Sequence, residues 1–316
     1  GFETFHINLV TKEKKLMALL KPLSPAENNL VLYSGIKLSK DRYLLAGNKG
    51  LLEYNTVTGA VGSPVFYYSG RSIENQSSVN SFYKDKKGTV YMNHADGIFF
   101  MNSSGSFIQY FRNYRFGNVQ IPDNDVRNFS EDEEGNIWMA TINGIVRLHM
   151  QTGELKLLEP LNKSGSIEVP SNRQLLNDAD HLWIGTSGNG VWLYNKRKNK
   201  YEPLLFPSTE DGKKQDTAFR NSYIWRIIQL RNKKILIVGG GRLFLTDPAT
   251  LLTQQLNLYT KPFSSRSAVQ DSSARIWHGT ASGFTCFDSS FNYLFGVKDS
   301  LTDRRVASFC EWTKDK

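Results

Sequence analysis

The hydrophobic positions of this chain recur in short alternating runs, separated by turns rich in Gly, Asn, Asp and Ser. In the clearest runs a turn is followed by an apolar-aromatic-apolar stretch, then Gly or Ala with Thr, then a Gly that opens a second apolar run. Solenoid helices would instead place apolar residues at i, i+3 and i+4. The pattern therefore predicts an all-β chain built of hairpins.

The same unit occurs six times. Clear copies cover residues 133–158, 179–205 and 273–295, and weaker copies cover 40–65, 86–111 and 232–256. The aromatic position of each copy falls at Leu44, Tyr91, Trp138, Trp183, Leu236 and Trp277, with gaps of 47, 47, 45, 53 and 41 residues. A period in the forties with several short strands per unit is typical of propeller blades.

Each copy divides into four strands, A to D. In the third copy we expect strand A at 126–132, B at 137–141, C at 145–150 and D at 155–160. The B–C corners carry a glycine, at which a tight turn needs positive φ. These corner glycines are Gly97, Gly144, Gly190 and Gly283.

Both ends of the chain resemble parts of a further blade. Residues 1–5 resemble the start of strand C, and residues 306–316 resemble strand A with its turn. We therefore expect one seven-bladed β-propeller domain over 1–316, with six complete blades and a composite one. The expected blades cover about 30–65, 78–111, 126–160, 172–206, 222–258 and 265–297, with a split blade of 1–20 and 304–316. Strand B of the split blade is missing, which suggests an excised segment.

The composition of the chain excludes few classes of binding partner. The 316 residues are 40% hydrophobic and 22% charged, which argues against disorder. Neither an apolar run long enough to cross a membrane nor a signal-peptide pattern is found. The net charge of +9 favours an acidic partner, which could be nucleic acid, anionic lipid or an acidic glycan. Cys286 and Cys310 lie in apolar runs and are expected to be buried.

The motif around three of the tryptophans resembles the two-component regulator propeller repeat. The resemblance is close at residues 136–141, 182–186 and 276–280, although His278 replaces an aliphatic residue. It is weaker where Leu44, Tyr91 and Leu236 replace Trp.

The resemblance implies an extracytoplasmic sensor propeller of a hybrid two-component system, located in the periplasm and responsive to oligosaccharides. It further implies a second propeller and a β-sandwich domain in the same polypeptide, a homodimeric receptor and a histidine kinase in the parent protein. This segment itself is expected to be no enzyme, to need no cofactor or metal, and to contact neither nucleic acid nor membrane.

The repeated tryptophans Trp138, Trp183 and Trp277 are expected to pack between blades rather than to stack on sugars, because the same position recurs in each unit. Ligand-binding residues should instead lie on the long D–A connections 112–125, 161–172 and 206–223, which share a face with the B–C corners. Tyr stacks on sugars, and Arg binds carboxylate or sulfate groups through two hydrogen bonds. The candidates are Arg112, Tyr114, Arg115, Phe116, Arg173, Arg220, Tyr223, Arg266 and His94.

Other chemistry has weaker signals. The lysines cluster on the opposite face, where residues 131–134 are acidic and interrupt any basic track, so a solvated rim is expected there. The five histidines show no metal-ligand spacing. Asp123 and Asp125 are the nearest approach to a paired-carboxylate site. Two alternatives to a sensor stay open: a non-catalytic scaffold that promotes dimerisation, and a polysaccharide lyase or glycosidase.

Overall fold

The fold comes from a computed structural model of the whole chain. The structure describes residues 3–7, 14–19, 32–48, 50–64, 66–68, 71–73, 79, 81–94, 97–101, 107–112, 115–116, 119–120, 126–141, 144–158, 172–205, 219–258, 265–280, 283–298 and 309. The chain separates into two compact units, one of residues 1–113 with 312–316 and one of residues 114–311.

Unit 1 contains twelve strands among its described residues. They are β1 (Glu3–Ile7), β2 (Lys14–Leu19), β3 (Leu32–Lys37), β4 (Arg42–Gly47), β5 (Gly50–Asn55), β6 (Val61–Gly62), β7 (Phe66–Tyr68), β8 (Arg71–Ile73), β9 (Phe82–Lys84), β10 (Val90–His94), β11 (Gly97–Met101) and β12 (Phe107–Arg112). Strands β3–β6 and β9–β12 each form a four-stranded antiparallel sheet, and β1–β2 and β7–β8 form two-stranded hairpins.

Unit 2 contains the other described strands. They are β13 (Arg115–Phe116), β14 (Val119–Gln120), β15 (Val126–Glu131), β16 (Ile137–Thr141), β17 (Ile145–Leu148), β18 (Leu155–Leu158), β19 (Asn172–Asn177), β20 (His181–Thr186), β21 (Val191–Asn195), β22 (Lys200–Pro203), β23 (Ile224–Gln229), β24 (Ile235–Gly239), β25 (Arg242–Thr246), β26 (Thr253–Leu256), β27 (Ser265–Gln270), β28 (Ile276–Thr280), β29 (Gly283–Phe287) and β30 (Tyr293–Lys298). From β15 onward they form four consecutive four-stranded sheets, and β13–β14 is a short hairpin.

The fold is therefore an all-β propeller with six four-stranded blades over the described residues, one for each repeat. Among the described residues the seventh blade is not shown, because β1 and β2 pair with each other there and most of 304–316 lies outside those residues. The segment 112–125, expected to be irregular, contains the β13–β14 hairpin. That all blades belong to one domain remains a prediction.

Within unit 2 the first strands of neighbouring blades contact one another: β15 touches β19, β19 touches β23 and β23 touches β27. This is the arrangement of a propeller, in which the first strand of every blade lies innermost. Side chains join these strands as well. Asn128 Oδ1 accepts a 2.9 Å hydrogen bond from the backbone N–H of Leu175, and Ser130 Oγ accepts one of 3.0 Å from Asn177.

The repeated aromatic position packs between blades, as predicted. Trp138 on β16 belongs to one buried cluster with Leu175, which lies on the first strand of the next blade. Trp183 and Ile227 make the equivalent pair one blade later. Trp138 and Trp183 are 3% and 0% exposed, so they are unavailable to a ligand.

Each repeated tryptophan is also bound to an aspartate at the end of its own first strand. The Nε1–H of Trp138 donates to Asp132 Oδ2 (2.8 Å), and that of Trp183 donates to Asp178 Oδ2 (2.5 Å). The other carboxylate oxygen, Oδ1 of Asp132, accepts the backbone N–H groups of Glu134 and Asn136 in the A–B turn. One carboxylate thus fixes both the turn and the indole, and it satisfies buried polar groups.

The two partners change together along the chain. In the second blade Tyr91 replaces Trp, and its hydroxyl lies 3.0 Å from Asp85 Oδ2. Where Leu44 and Leu236 replace Trp, the aspartate position holds Leu38 and Leu230. The carboxylate is therefore present only where an aromatic donor reaches it, which follows from the cost of burying an unpaired charge.

A β-bulge recurs near the start of the first strand in five blades. In β15 the pairing with β16 skips one residue between Val126 and Asn128. The skipped residues are Tyr33, Arg127, Arg173, Trp225 and Arg266. A bulge changes the direction of a side chain without ending the sheet. The residues at these positions therefore do not have to fit the packing between paired strands.

Lys196 departs from the expectation of a solvated lysine rim. Its Nζ donates a 2.5 Å hydrogen bond to the backbone carbonyl of Asp178. Burial lowers the pKa of Lys196, and the charges of Asp132 and Asp178 oppose that effect. The side chain thus neutralises the aspartates of two adjacent blades, and its role is structural.

Candidate functional site

The best-defined candidate site is built on residues 219–226, where the fourth blade connects to the fifth. Phe219 anchors the segment: it is 0% exposed, and its ring meets Phe244 edge-on at 4.8 Å between centroids. Its carbonyl accepts the N–H of Ser222 at 3.0 Å. The anchor holds the following exposed residues in fixed positions.

Two B–C corners clamp this segment. The N–H of Gly190, in the corner of the fourth blade, donates to the Ser222 carbonyl at 3.2 Å. The N–H of Gly240, in the corner of the fifth blade, donates to the Tyr223 carbonyl at 3.2 Å. Gly190 has φ +63, and a Cβ there would lie 2.8 Å from the Phe219 carbonyl oxygen, so the close approach requires glycine.

The clamped segment presents an aromatic surface. Tyr223 is 51% exposed. Its ring stacks on that of Trp225, with 6.3 Å between centroids and 21° between planes. Trp225, the bulged residue of β23, is partly exposed. Nearly parallel rings of this kind suit the flat faces of a sugar or another planar ligand.

Arginines flank the aromatic pair. Arg220 is exposed and lies between the Phe219 anchor and Tyr223. Arg226 follows Trp225 on β23 and is also exposed to solvent. Desolvation lowers the pKa of its guanidinium.

The structure brings together two of the predicted ligand-binding residues, Arg220 and Tyr223. In unit 1, His94 ends β10 and Arg112 ends β12, and both are paired with Gly97 at the corner end of the second blade. Arg115, Arg173 and Arg266 lie on described strands, but their side chains lie outside the described residues. Tyr114, Asp123, Asp125 and Cys310 lie outside the described residues altogether, and so does the side chain of Phe116.

Three residues near this end of the first strands escaped sequence reasoning: Arg127, Trp225 and Arg226. The spacing of the repeats could have identified two of them, Arg127 and Trp225. Arg127, Arg173, Trp225 and Arg266 stand ten or eleven residues before the aromatic position of their repeats. Aligning the repeats on that position would have placed Arg127 and Trp225 beside the two arginines already chosen. Nothing in the sequence distinguishes Arg226 without the bulge.

Comparison with protein families supports the repeat assignment. Residues 120–143, which include β15 and Trp138, match the family described as Two component regulator propeller. The resemblance noted in the sequence is thereby confirmed. No curated protein matches the chain by sequence.

Solved structures share the fold at low identity. The extracellular domain of BT4673 from B. thetaiotaomicron, assigned to a hybrid two component system, has a TM-score of 0.65 and 18% identity over 90% of this chain. The corresponding domain of BT3049 from B. thetaiotaomicron has a TM-score of 0.65 and 17% identity over 86% of this chain. The chain spans 35% of the length of each of these structures.

A streptogramin B lyase has a TM-score of 0.62 and 14% identity, with 86% of this chain and 84% of the lyase aligned. At these identities each likeness establishes the fold alone. Across the part of the chain that the structure describes, no helix is long and apolar enough to cross a membrane.

Proposed function

We propose that this chain is a ligand-sensing propeller from the extracytoplasmic, periplasmic region of a hybrid two-component receptor, and that it binds an oligosaccharide. The observation that carries the proposal is the pair of stacked rings of Tyr223 and Trp225, exposed on a segment that two blade corners clamp. Rigid aromatic surfaces with adjacent hydrogen-bonding groups are typical of sugar-binding sites.

The family match and the sensor structures support the receptor context. In this proposal a histidine kinase in the same polypeptide receives the signal, and a second propeller and a β-sandwich domain complete the extracytoplasmic region of a homodimer. The propeller itself binds without turnover. Its ligand is a fragment released from a polysaccharide.

Calorimetry with a panel of neutral and acidic oligosaccharides tests this function. We expect at least one member to bind, and Tyr223→Ala to weaken that binding about tenfold, which corresponds to about 1.4 kcal/mol. The matched control is Tyr293→Ala, a tyrosine that is 66% exposed on β30. Undiminished binding by the Tyr223 variant would reject this site, and a panel without binders would reject the function.

We further propose that the propeller has seven blades. In unit 2 the ring of Phe309 lies 6.3 Å from that of Trp277 and 6.5 Å from that of Phe284. Phe309 thus meets Trp277 as Leu175 meets Trp138 in the preceding repeats, which supports a first strand of a further blade at this position. In unit 1 the β1–β2 hairpin has the pairing of a C–D strand pair.

A further inference from the structure

The geometry points to an oxyanion-binding site centred on Arg226, which takes a carboxylate or sulfate group of an anionic saccharide. The saccharide part of this inference rests on the proposed function, whereas the anion part stands on Arg226 itself. This residue lies one position after the bulge of β23, directly next to the aromatic surface.

Arg226 makes no hydrogen bond or ion pair with any residue that the structure describes. A guanidinium carries five N–H donors and no acceptor, and those of buried or enclosed arginines are normally matched by carboxylates or carbonyls. The side chain is exposed to solvent and has no acceptor among the described residues, although desolvation lowers the pKa of its guanidinium. An incoming oxyanion would supply that acceptor.

The repeat shows what Arg226 replaces. The equivalent residue of the third blade, Asn128, accepts the backbone N–H of Leu175 and so joins two blades. The same position holds residues with an acceptor oxygen in the other blades, namely Ser34, Ser81, Gln174 and Ser267. Arginine cannot accept a hydrogen bond, so this blade exchanges an inter-blade acceptor for a free cation. A local departure from the structural rule of a repeat is a mark of a functional position.

Neighbouring blades add positive charge at the same register. The bulge position holds Arg127 on β15, Arg173 on β19 and Arg266 on β27, and those three strands line up with β23 in unit 2. Neither the bulge position nor the residue after it is acidic in any of these four blades. Each of these four blades thus carries an arginine and no acidic residue at these two positions.

The chemistry of the arginine side chain sets the ligand class. A planar guanidinium matches the two oxygens of a carboxylate or a sulfate in a bidentate arrangement. The stacked rings of Tyr223 and Trp225, three and one residues before it in the chain, would pack against the sugar ring that bears the anionic group. A uronate or a sulfated sugar provides both features in one residue.

Calorimetry tests the site with three ligands: sodium glucuronate, glucose and sodium sulfate. Each ligand is titrated into the wild-type chain, Arg226→Gln and Arg231→Gln. Arg231 is the matched control because it is an exposed arginine in the A–B turn of the same blade, and its backbone N–H donates to Gln270 Oε1. We expect the wild type to bind glucuronate at least tenfold more tightly than glucose. Arg226→Gln should lose that preference, and Arg231→Gln should keep it.

Thermal unfolding separates binding from folding. Because the guanidinium of Arg226 has no partner among the described residues, Arg226→Gln should unfold at or above the wild-type temperature. A clear fall in the unfolding temperature would assign Arg226 a structural role and overturn the inference. Equal glucuronate binding by the two variants would also overturn it. So would a wild type that binds neither glucuronate nor sulfate. Neutral oligosaccharide binding without glucuronate binding rejects the anion site but keeps the proposed function. If the wild type binds sulfate but no saccharide, and Arg226→Gln abolishes the sulfate binding, the anion site is kept and the proposed function is rejected.

Discussion

The indole Nε1–H of Trp277 donates a 2.9 Å hydrogen bond to Oδ2 of Asp271, six residues earlier in the chain. The second oxygen of that carboxylate accepts the N–H groups of Ser273 and Arg275, so a single side chain closes the A–B turn and orients the indole. The same arrangement at Trp138 and Trp183 makes this pair the main polar element of the blade interior.

Replacing Trp138 by Phe should cost more stability than replacing Trp192 by Phe. Both rings are buried, but the Nε1–H of Trp138 is bonded to Asp132, whereas Nε1 of Trp192 has no partner among the described residues. The first change removes the indole donor from a buried carboxylate, which keeps its bond from Asn136 Nδ2, whereas the second removes an unsatisfied donor. The free energies of unfolding should therefore differ by about 1–3 kcal/mol. Urea denaturation of both variants measures the difference, and equal losses would contradict this role of the bond.

Gly190→Ala should weaken ligand binding although residue 190 is outside the aromatic surface. A Cβ at this position would lie 2.8 Å from the Phe219 carbonyl oxygen and 3.1 Å from the Arg220 Cα, so the segment that carries Tyr223 must move. Gly59→Ala is the control, because Gly59 has a similar φ of +71 but nothing within 4 Å of its Cβ.

Alanine at a positive φ strains the backbone by about 1 kcal/mol, and this cost is the same in both glycine variants. Chemical denaturation and oligosaccharide titration of both should therefore show a larger loss of stability for Gly190→Ala, and a loss of affinity for that variant alone. Normal affinity in Gly190→Ala would show that the clamp does not position the site.

Stability should fall between neutral pH and pH 5 because of His278. This side chain is fully buried on β28, and burial lowers its pKa to about 4. In the unfolded chain the imidazole takes up a proton near its ordinary pKa of about 6.5, which the folded chain resists, so acidification favours unfolding. The contribution is complete above pH 6.5 and is lost as the pH falls towards 4.

A loss of about 2 kcal/mol at pH 5 relative to pH 8 follows from that shift. His278→Ile restores the aliphatic residue that Ile184 and Ile237 provide in the fourth and fifth blades. Its unfolding free energy should be less dependent on pH over the same interval. Parallel pH profiles for the two proteins would mean that His278 is not the group responsible.

Phe309→Ala should destabilise unit 2 as a core substitution does, by about 3 kcal/mol. The expectation follows from the contacts of Phe309 with Trp277 and Phe284. Tyr293→Ala, a truncation of an exposed aromatic residue, should change stability by no more than about 0.5 kcal/mol. If thermal unfolding gave the same small effect for both variants, the proposed first strand of a seventh blade would lose its support.

The sequence determined the blades well because the signals for them are local. The four strands of the third blade start where the repeat predicts, and Trp138 packs between blades as its periodic position implies. Alternation, turn residues and a fixed period all act within one repeat, so each copy reinforces the others.

The site was predicted only in part, since it depends on relations between repeats. Arg220 and Tyr223 were found from their place in a long connection, and the clamp shows why they are ordered. Arg226 was missed because its meaning depends on a bulge that shifts the register by one residue. Such a shift changes the face of the sheet on which each side chain lies, and an alternating pattern does not reveal it.

The recurrent bulge has a consequence for how such a chain can diversify. Its position holds tyrosine, arginine or tryptophan in different blades, while the strands on either side keep the same pairing. One residue per blade can therefore vary in size and charge without disturbing the indole and carboxylate pairs that hold the blades together. Under the proposed function, point mutations at these places would change ligand preference at little risk to folding, so related chains could share one scaffold and bind different molecules.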